Sequence, residues 1–200
     1  MKIQEIRALT GPNIYSHRPV LLMKLQLEEL AEKESREFPS FNSQLLDLLP
    51  GMKTHYCGKG EPGGLVERLA TGTYFGHIVE HIALELTELA GVPVFHGKTR
   101  ETEIPGCYRV VVEYTAEQGT RFLLQTAVAF TEALLRGEAY PLTEKIAEAK
   151  RIIARTEFGP STKAIMDAAI KRGIPCQRIG SGNIMQLGYG QQRQLVQAAM

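Results

Sequence analysis

The chain has no tryptophan, only three cysteines among 200 residues, almost no net charge and no long apolar run. Each shortage removes a class of protein. Cys57, Cys107 and Cys176 are odd in number and widely spaced, so no disulfide framework is expected. A reduced, cytoplasmic setting fits them better. Lys plus Arg is 23 against 22 for Asp plus Glu. Without a clustered basic excess, neither nucleic acid nor an anionic membrane is an expected partner. No segment reaches the roughly 20 apolar residues of a membrane helix. Met1 to Thr10 alternates charged and aliphatic residues and lacks the apolar stretch of a signal peptide. Phosphate-loop, Rossmann and Gly-x-Ser-x-Gly patterns are missing too.

What is present suffices for more than one small core. The hydrophobic share is 44%, enough for one full domain and the start of another. Strands are predicted over Lys2 to Leu9 and Cys107 to Tyr114. Val20 to Glu34 mixes strand-like and helical signals. Helices are predicted over Phe41 to Leu49, Leu65 to Ala70, Tyr74 to Ala90, Gln118 to Arg136 and Leu142 to Arg155. Gly91 and Pro93 supply a C-terminal stop for the helix from Tyr74 to Ala90. A composition shift at Phe158-Gly159-Pro160-Ser161-Thr162 marks a boundary, giving domains 1–157 and 158–200. The second piece is too short to bury its own core. In it a helix capped by Ser161, two short strands and the opening of a last helix before Met200 are expected. The fold class is α+β: a small, mainly antiparallel sheet packed by helices.

The sharpest motif is His77-Ile78-Val79-Glu80-His81. Residues four apart share a helix face, so both imidazoles can meet one cation. Glu80 sits beside them, where it can take a proton from a water. Zinc with three protein ligands and one open position is the chemistry this pattern suits. The third ligand must come from elsewhere. Glu85 lies about 12 Å along the axis from His77, too far to share the ion. Glu113 is the leading candidate, because it interrupts the apolar strand Val110-Val111-Val112 and a core-facing carboxylate needs a metal or a charge partner. Glu67 is the rival, and His55 and Cys57 stay open. The same spacing also occurs in half-buried clusters that bind nothing.

Other features carry weaker signals. The loop Cys57 to Gly64 has four glycines and could bring backbone N–H groups to an anion, or simply be a surface loop. Lys98, Arg100, Glu101 and Glu103 form a mixed-charge patch, either solvated or facing a zwitterionic ligand. His96 reads as structural or surface. Cys107 and Cys176 read as small core hydrophobes.

Several strings resemble the amino-terminal part of cyanophycin synthetases: Leu9-Thr10-Gly11-Pro12-Asn13, Gly72-Thr73-Tyr74-Phe75-Gly76 running on through His77, Glu80 and His81 to Leu86, Thr99-Arg100-Glu101-Thr102, Gly159-Pro160-Ser161-Thr162 and Gln186-Leu187-Gly188-Tyr189-Gly190. The resemblance runs from near residue 1 to the end. It implies a larger enzyme that uses ATP and Mg to polymerise aspartate and arginine, with residues 158–200 opening an α/β ATP-grasp domain. It implies that the amino-terminal domain binds cyanophycin, the aspartate–arginine polymer. In some members that domain also cuts the polymer into primers with a metal. Mapped onto this chain, His77 and His81 are the expected ligands and Glu80 the general base. Three readings follow: a zinc-dependent amide hydrolase, a polymer-binding module, or a scaffold for a homo-oligomer.

Overall fold

A computed structural model describes residues 1–57, 60–94, 96–156, 158–180 and 182–197. Gly58 and Lys59 of the glycine-rich loop, Ser181, and the last three residues lie outside the described set. The chain divides into two compact units, Met1–Ala154 and Arg155–Met200.

In the first unit β1 (Lys2–Leu9), β2 (Val20–Gln26), β3 (Gly97–Glu101) and β4 (Cys107–Glu113) form an antiparallel sheet in the order β1-β2-β4-β3. Its helices are α1 (Pro39–Leu48), α2 (Gly64–Thr71), α3 (Phe75–Leu89), α4 (Glu117–Leu135) and α5 (Leu142–Thr156), the last running across the unit boundary. Side chains alternate faces along a strand. Leu21, Met23 and Leu25 of β2 stand opposite Val112, Val110 and Tyr108 of β4. These six share one core with Phe75, Ile78, Val79 and Ile82 of α3 and with Leu123, Leu124 and Phe130 of α4. That face of the sheet therefore carries the helices. Ile3 and Ile6 of β1 are three residues apart, which strict alternation would put on opposite faces. A register shift between Ile3 and Glu5 sets them opposite Leu25 and Met23, so both pack on the core.

Helix α3 is apolar on nearly all sides because α4 covers one flank and β3 and β4 the other. Glu80, His81, Glu85 and Thr87 are buried along with its aliphatic residues. It ends at Gly91, whose φ of +87° suits glycine, with Pro93 beyond.

In the second unit α6 (Pro160–Lys171) accompanies a separate antiparallel sheet, β5 (Cys176–Ile179), β6 (Ile184–Leu187) and β7 (Gln194–Gln197), in that order. Met185 is fully buried in it and Ala169 and Thr162 nearly so.

One strand falls where no element was expected, and two local expectations differ from the structure. The charged stretch Gly97–Glu101 is strand β3, paired to β4 on one side, with Lys98, Arg100 and Glu101 exposed. An edge strand tolerates, and is protected by, such charges. Helix α6 begins at Pro160 with Gly159 as its cap, because proline takes the first helical position, which leaves Ser161 inside the first turn. The chain near its end forms β7 against β6 rather than a helix; Gln-Leu-Val-Gln is too short for periodicity to decide, and pairing does.

Phe75 is fully buried, with the rings of Phe38 and Phe41 edge-on at 5.4 and 5.5 Å. Phe75→Ala should lower stability by about 3–5 kcal/mol, read from urea unfolding. Ile14→Ala, at a residue 90% exposed, should change it by less than about 0.5 kcal/mol.

Candidate metal centre

One turn of α3 brings His77 and His81 together. Their rings meet nearly perpendicular, 85° apart, with centroids at 4.6 Å and Nε2 atoms facing each other at 3.0 Å. The Sγ of Cys57 lies 3.2 Å from His77 Nε2. Cys57, His77 and His81 each offer a ligand atom, all within 4.8 Å of one another. Cys57 arrives on the chain that leaves the 3₁₀ turn Pro50–Thr54 and enters α2. There the backbone folds on itself: a Cβ at Gly64 would stand 2.7 Å from the carbonyl oxygen of Cys57, so only glycine admits this path.

Each imidazole has a further partner on its other nitrogen. His77 Nδ1 lies 2.8 Å from the hydroxyl of Thr73. Thr73 is itself fixed, its N–H donating to Ser35 Oγ at 3.0 Å while that hydroxyl donates to the Leu69 carbonyl at 2.9 Å. His81 Nδ1 lies 3.0 Å from His55 Nδ1, and His55 Nε2 lies 2.9 Å from Glu85 Oε2.

Burial decides the protonation of the group. It pushes His77 down to about 4, helped by the charge of Arg68. It pushes His81 down to about 3, with the charges of His77 and His55 adding to the effect. Both rings are therefore neutral near pH 7 and present lone pairs, the form that ligates metal. Burial also raises the Cys57 thiol above its ordinary value, against the pull of Arg68.

Glu80 is 5% exposed and lines the same cleft, about 740 Å3 in volume, as the two histidines and Cys57. Burial lifts its carboxyl to about 7, opposed by a hydrogen bond from Thr99. Strand β3 passes close above it. A Cβ at Gly97 would fall 2.8 Å from Glu80 Oε1. Arg68, Lys98 and Arg100 also border the cleft, as does His96. The buried Nε2 of His96 has no hydrogen-bond partner among the described residues.

The side chain that stands beside the two imidazoles is Cys57, one of the residues left open above, whereas Glu113 lies elsewhere. Glu113 stands opposite Val20 in the sheet, on the face turned away from Val110, Val112 and α3. It is 4% exposed and faces Arg18 Nε at 3.4 Å, so a charge partner accounts for its burial. Glu67 is exposed on α2 and is likewise outside the cluster. Zinc bonds of about 2.0–2.1 Å to nitrogen and about 2.3 Å to sulfur set neighbouring donors some 3.3–3.6 Å apart. The separations of 3.0 and 3.2 Å are near those spacings, and all three ligand atoms lie within 4.8 Å of one another. One thiolate and two imidazoles are also a soft set that suits zinc over magnesium or calcium.

Fold and site together define an α+β domain with a cleft that gathers a Cys-His-His cluster beside a buried carboxylate. Residues 22–136 match the cyanophycin synthase-like N-terminal domain, and the chain belongs to that family. It is 42% identical over 205 aligned positions to a cyanophycin synthetase of Crocosphaera subtropica, covering all of this chain and 24% of that protein. It is 43% identical to cyanophycin synthetases of Trichormus variabilis and of a Nostoc species, covering all of this chain and 23% of each. The chain therefore spans about a quarter of the length of these relatives.

The sign of the pH dependence follows from these shifts. An unfolded imidazole takes up a proton near 6.5, whereas His77 and His81 in the folded, metal-free state resist until about 4 and 3. Their contribution is intact above about 6.5 and is lost as pH falls below it. Glu80 opposes this, since a carboxyl raised to about 7 costs stability as pH rises from 4.5 through 7. Metal-free Glu80→Gln should lose stability between about pH 6.5 and 4, and adding His81→Asn should flatten that loss, both read as urea midpoints.

Proposed function

We propose that this chain is the amino-terminal region of a cyanophycin synthetase and that it binds cyanophycin and cuts it by zinc-dependent amide hydrolysis. The observation that carries the reading is the cluster of one ligand atom each from Cys57, His77 and His81 within 4.8 Å, in a cleft shared with Glu80. These three residues would hold the ion. When bound, it supplies a fixed positive charge that polarises an amide carbonyl and acidifies a water at its open position. Glu80, with a carboxyl near 7, is matched to accept a proton from that water at neutral pH. It then returns the proton to the departing amine nitrogen, so that water is added across the amide bond. His96 stands on the cleft wall, and its buried Nε2 has no hydrogen-bond partner among the described residues. Arg68, Lys98 and Arg100 give the rim charges for a polymer that carries carboxylates.

Residues 158–200 are, on this reading, the opening of the ATP-grasp domain of a longer cytoplasmic, homo-oligomeric ligase, whose ATP and Mg sites lie outside this chain. A second reading keeps the polymer binding and drops the chemistry; the charged rim favours it equally.

Zinc content and cleavage of purified cyanophycin separate the two. The wild-type chain should hold about one zinc per molecule and shorten the polymer. Glu80→Gln should keep zinc and polymer binding yet cleave about 100-fold to 10,000-fold more slowly. A zinc-loaded wild-type chain that leaves the polymer at full length sinks the hydrolytic reading. Glu113→Gln should leave the zinc content unchanged.

A further inference from the structure

The geometry points to Glu85 and His55 as a positioning pair that holds the His81 imidazole for metal binding, with Gly51 as the residue that makes room for it. The inference rests on the zinc reading of the cluster and extends it beyond the three donors. For His81 Nε2 to give its lone pair to an ion, its proton must sit on Nδ1. That nitrogen faces His55 Nδ1 at 3.0 Å, which must then accept. The remaining proton of neutral His55 is consequently on Nε2, which faces Glu85 Oε2 at 2.9 Å. The chain of donors and acceptors from Glu85 to His81 therefore closes in one sense only. A carboxylate placed behind a ligating imidazole fixes its ring and tautomer and makes it a better ligand.

Burial and sterics both support the assignment. The Glu85 side chain is 7% exposed and that of His55 14%. A carboxylate kept from water needs a partner, and His55 is that partner. The same turn, Pro50–Thr54, both delivers His55 and passes Gly51 against the carboxylate. A Cβ at Gly51 would lie 2.1 Å from Glu85 Oε1 and 2.7 Å from its Cδ and Oε2. Every crowded atom belongs to the free end of the Glu85 side chain. An added methyl would push the carboxylate off His55 while leaving the backbone in place. Glu85 is two turns beyond His77 on α3, too far to share an ion with it, but through His55 it reaches His81.

The test is the zinc dissociation constant of the whole chain, measured by competition with a chromophoric chelator, with circular dichroism of the metal-free variants as the check on folding. Glu85→Ala should weaken zinc binding by about 10-fold to 100-fold, and Glu85→Gln, which keeps an acceptor, by less. Gly51→Ala should weaken it although residue 51 touches no ligand. Gly51→Ala combined with Glu85→Ala should lose no more than Glu85→Ala alone, because both act on one contact. Zinc affinity equal to wild type in folded Glu85→Ala and Gly51→Ala overturns the inference while leaving the metal site standing. A wild-type chain with no zinc affinity overturns the site and the inference together.

Discussion

Two imidazole nitrogens face each other at 3.0 Å inside a helix-lined cleft, and burial keeps both from taking protons. Two lone pairs brought together in a desolvated place repel, unless a proton or a cation sits between them. The surroundings are built around that constraint. Ser35 pins Thr73 behind one ring, and His55 with Glu85 stands behind the other. Cys57 adds a third donor from a different part of the chain. These contacts leave the donor nitrogens little freedom, which is what a small ion with short bonds requires.

Helix α3 ties this chemistry to stability. Its aliphatic residues fill the core between the sheet and α4, while His77, Glu80 and His81 of the same helix line the cleft and Glu85 is buried one turn beyond His81. A buried polar row of this kind costs free energy that a well-packed core has to offset. The glycines at 64 and 97 express the same closeness: the backbone near Cys57 folds where a Cβ would not fit, and β3 approaches Glu80 within the radius of one.

The carboxylate beside the rings and the carboxylate behind them sit in different surroundings. Glu80 opens on the cleft and is lifted by burial to about 7, a value suited to moving protons at neutral pH. Glu85 is paired with His55 and turned away from the cleft. Two acids five residues apart on one helix are thereby given separate roles by what each one faces, not by their own chemistry.

Much of this was legible in the order of residues. Helical spacing alone placed His77 and His81 on one face with Glu80 adjoining, because 3.6 residues per turn is a local property of the backbone. Apolar patterning likewise marked β4 and α3, while Val20 to Glu34 mixed strand-like and helical signals that the pairing of β2 with β1 and β4 resolves. The third donor was not legible. Glu113 looked core-facing because it interrupts an otherwise apolar strand and shares a side with Val111. Only the pairing of β4 with β2 showed that its face is the one opposite α3. Cys57 is separated from His77 by a loop and a helix, and the bearing of Glu85 on His81 depends on His55 arriving from a third segment. Such meetings are set by how α2, α3 and the Pro50–Thr54 turn pack, and side-chain spacing along one element carries no record of them. The sequence by itself determined the paired imidazoles and the elements that hold them; tertiary packing decided what stands beside and behind them, because those contacts join residues that only folding brings within bonding distance.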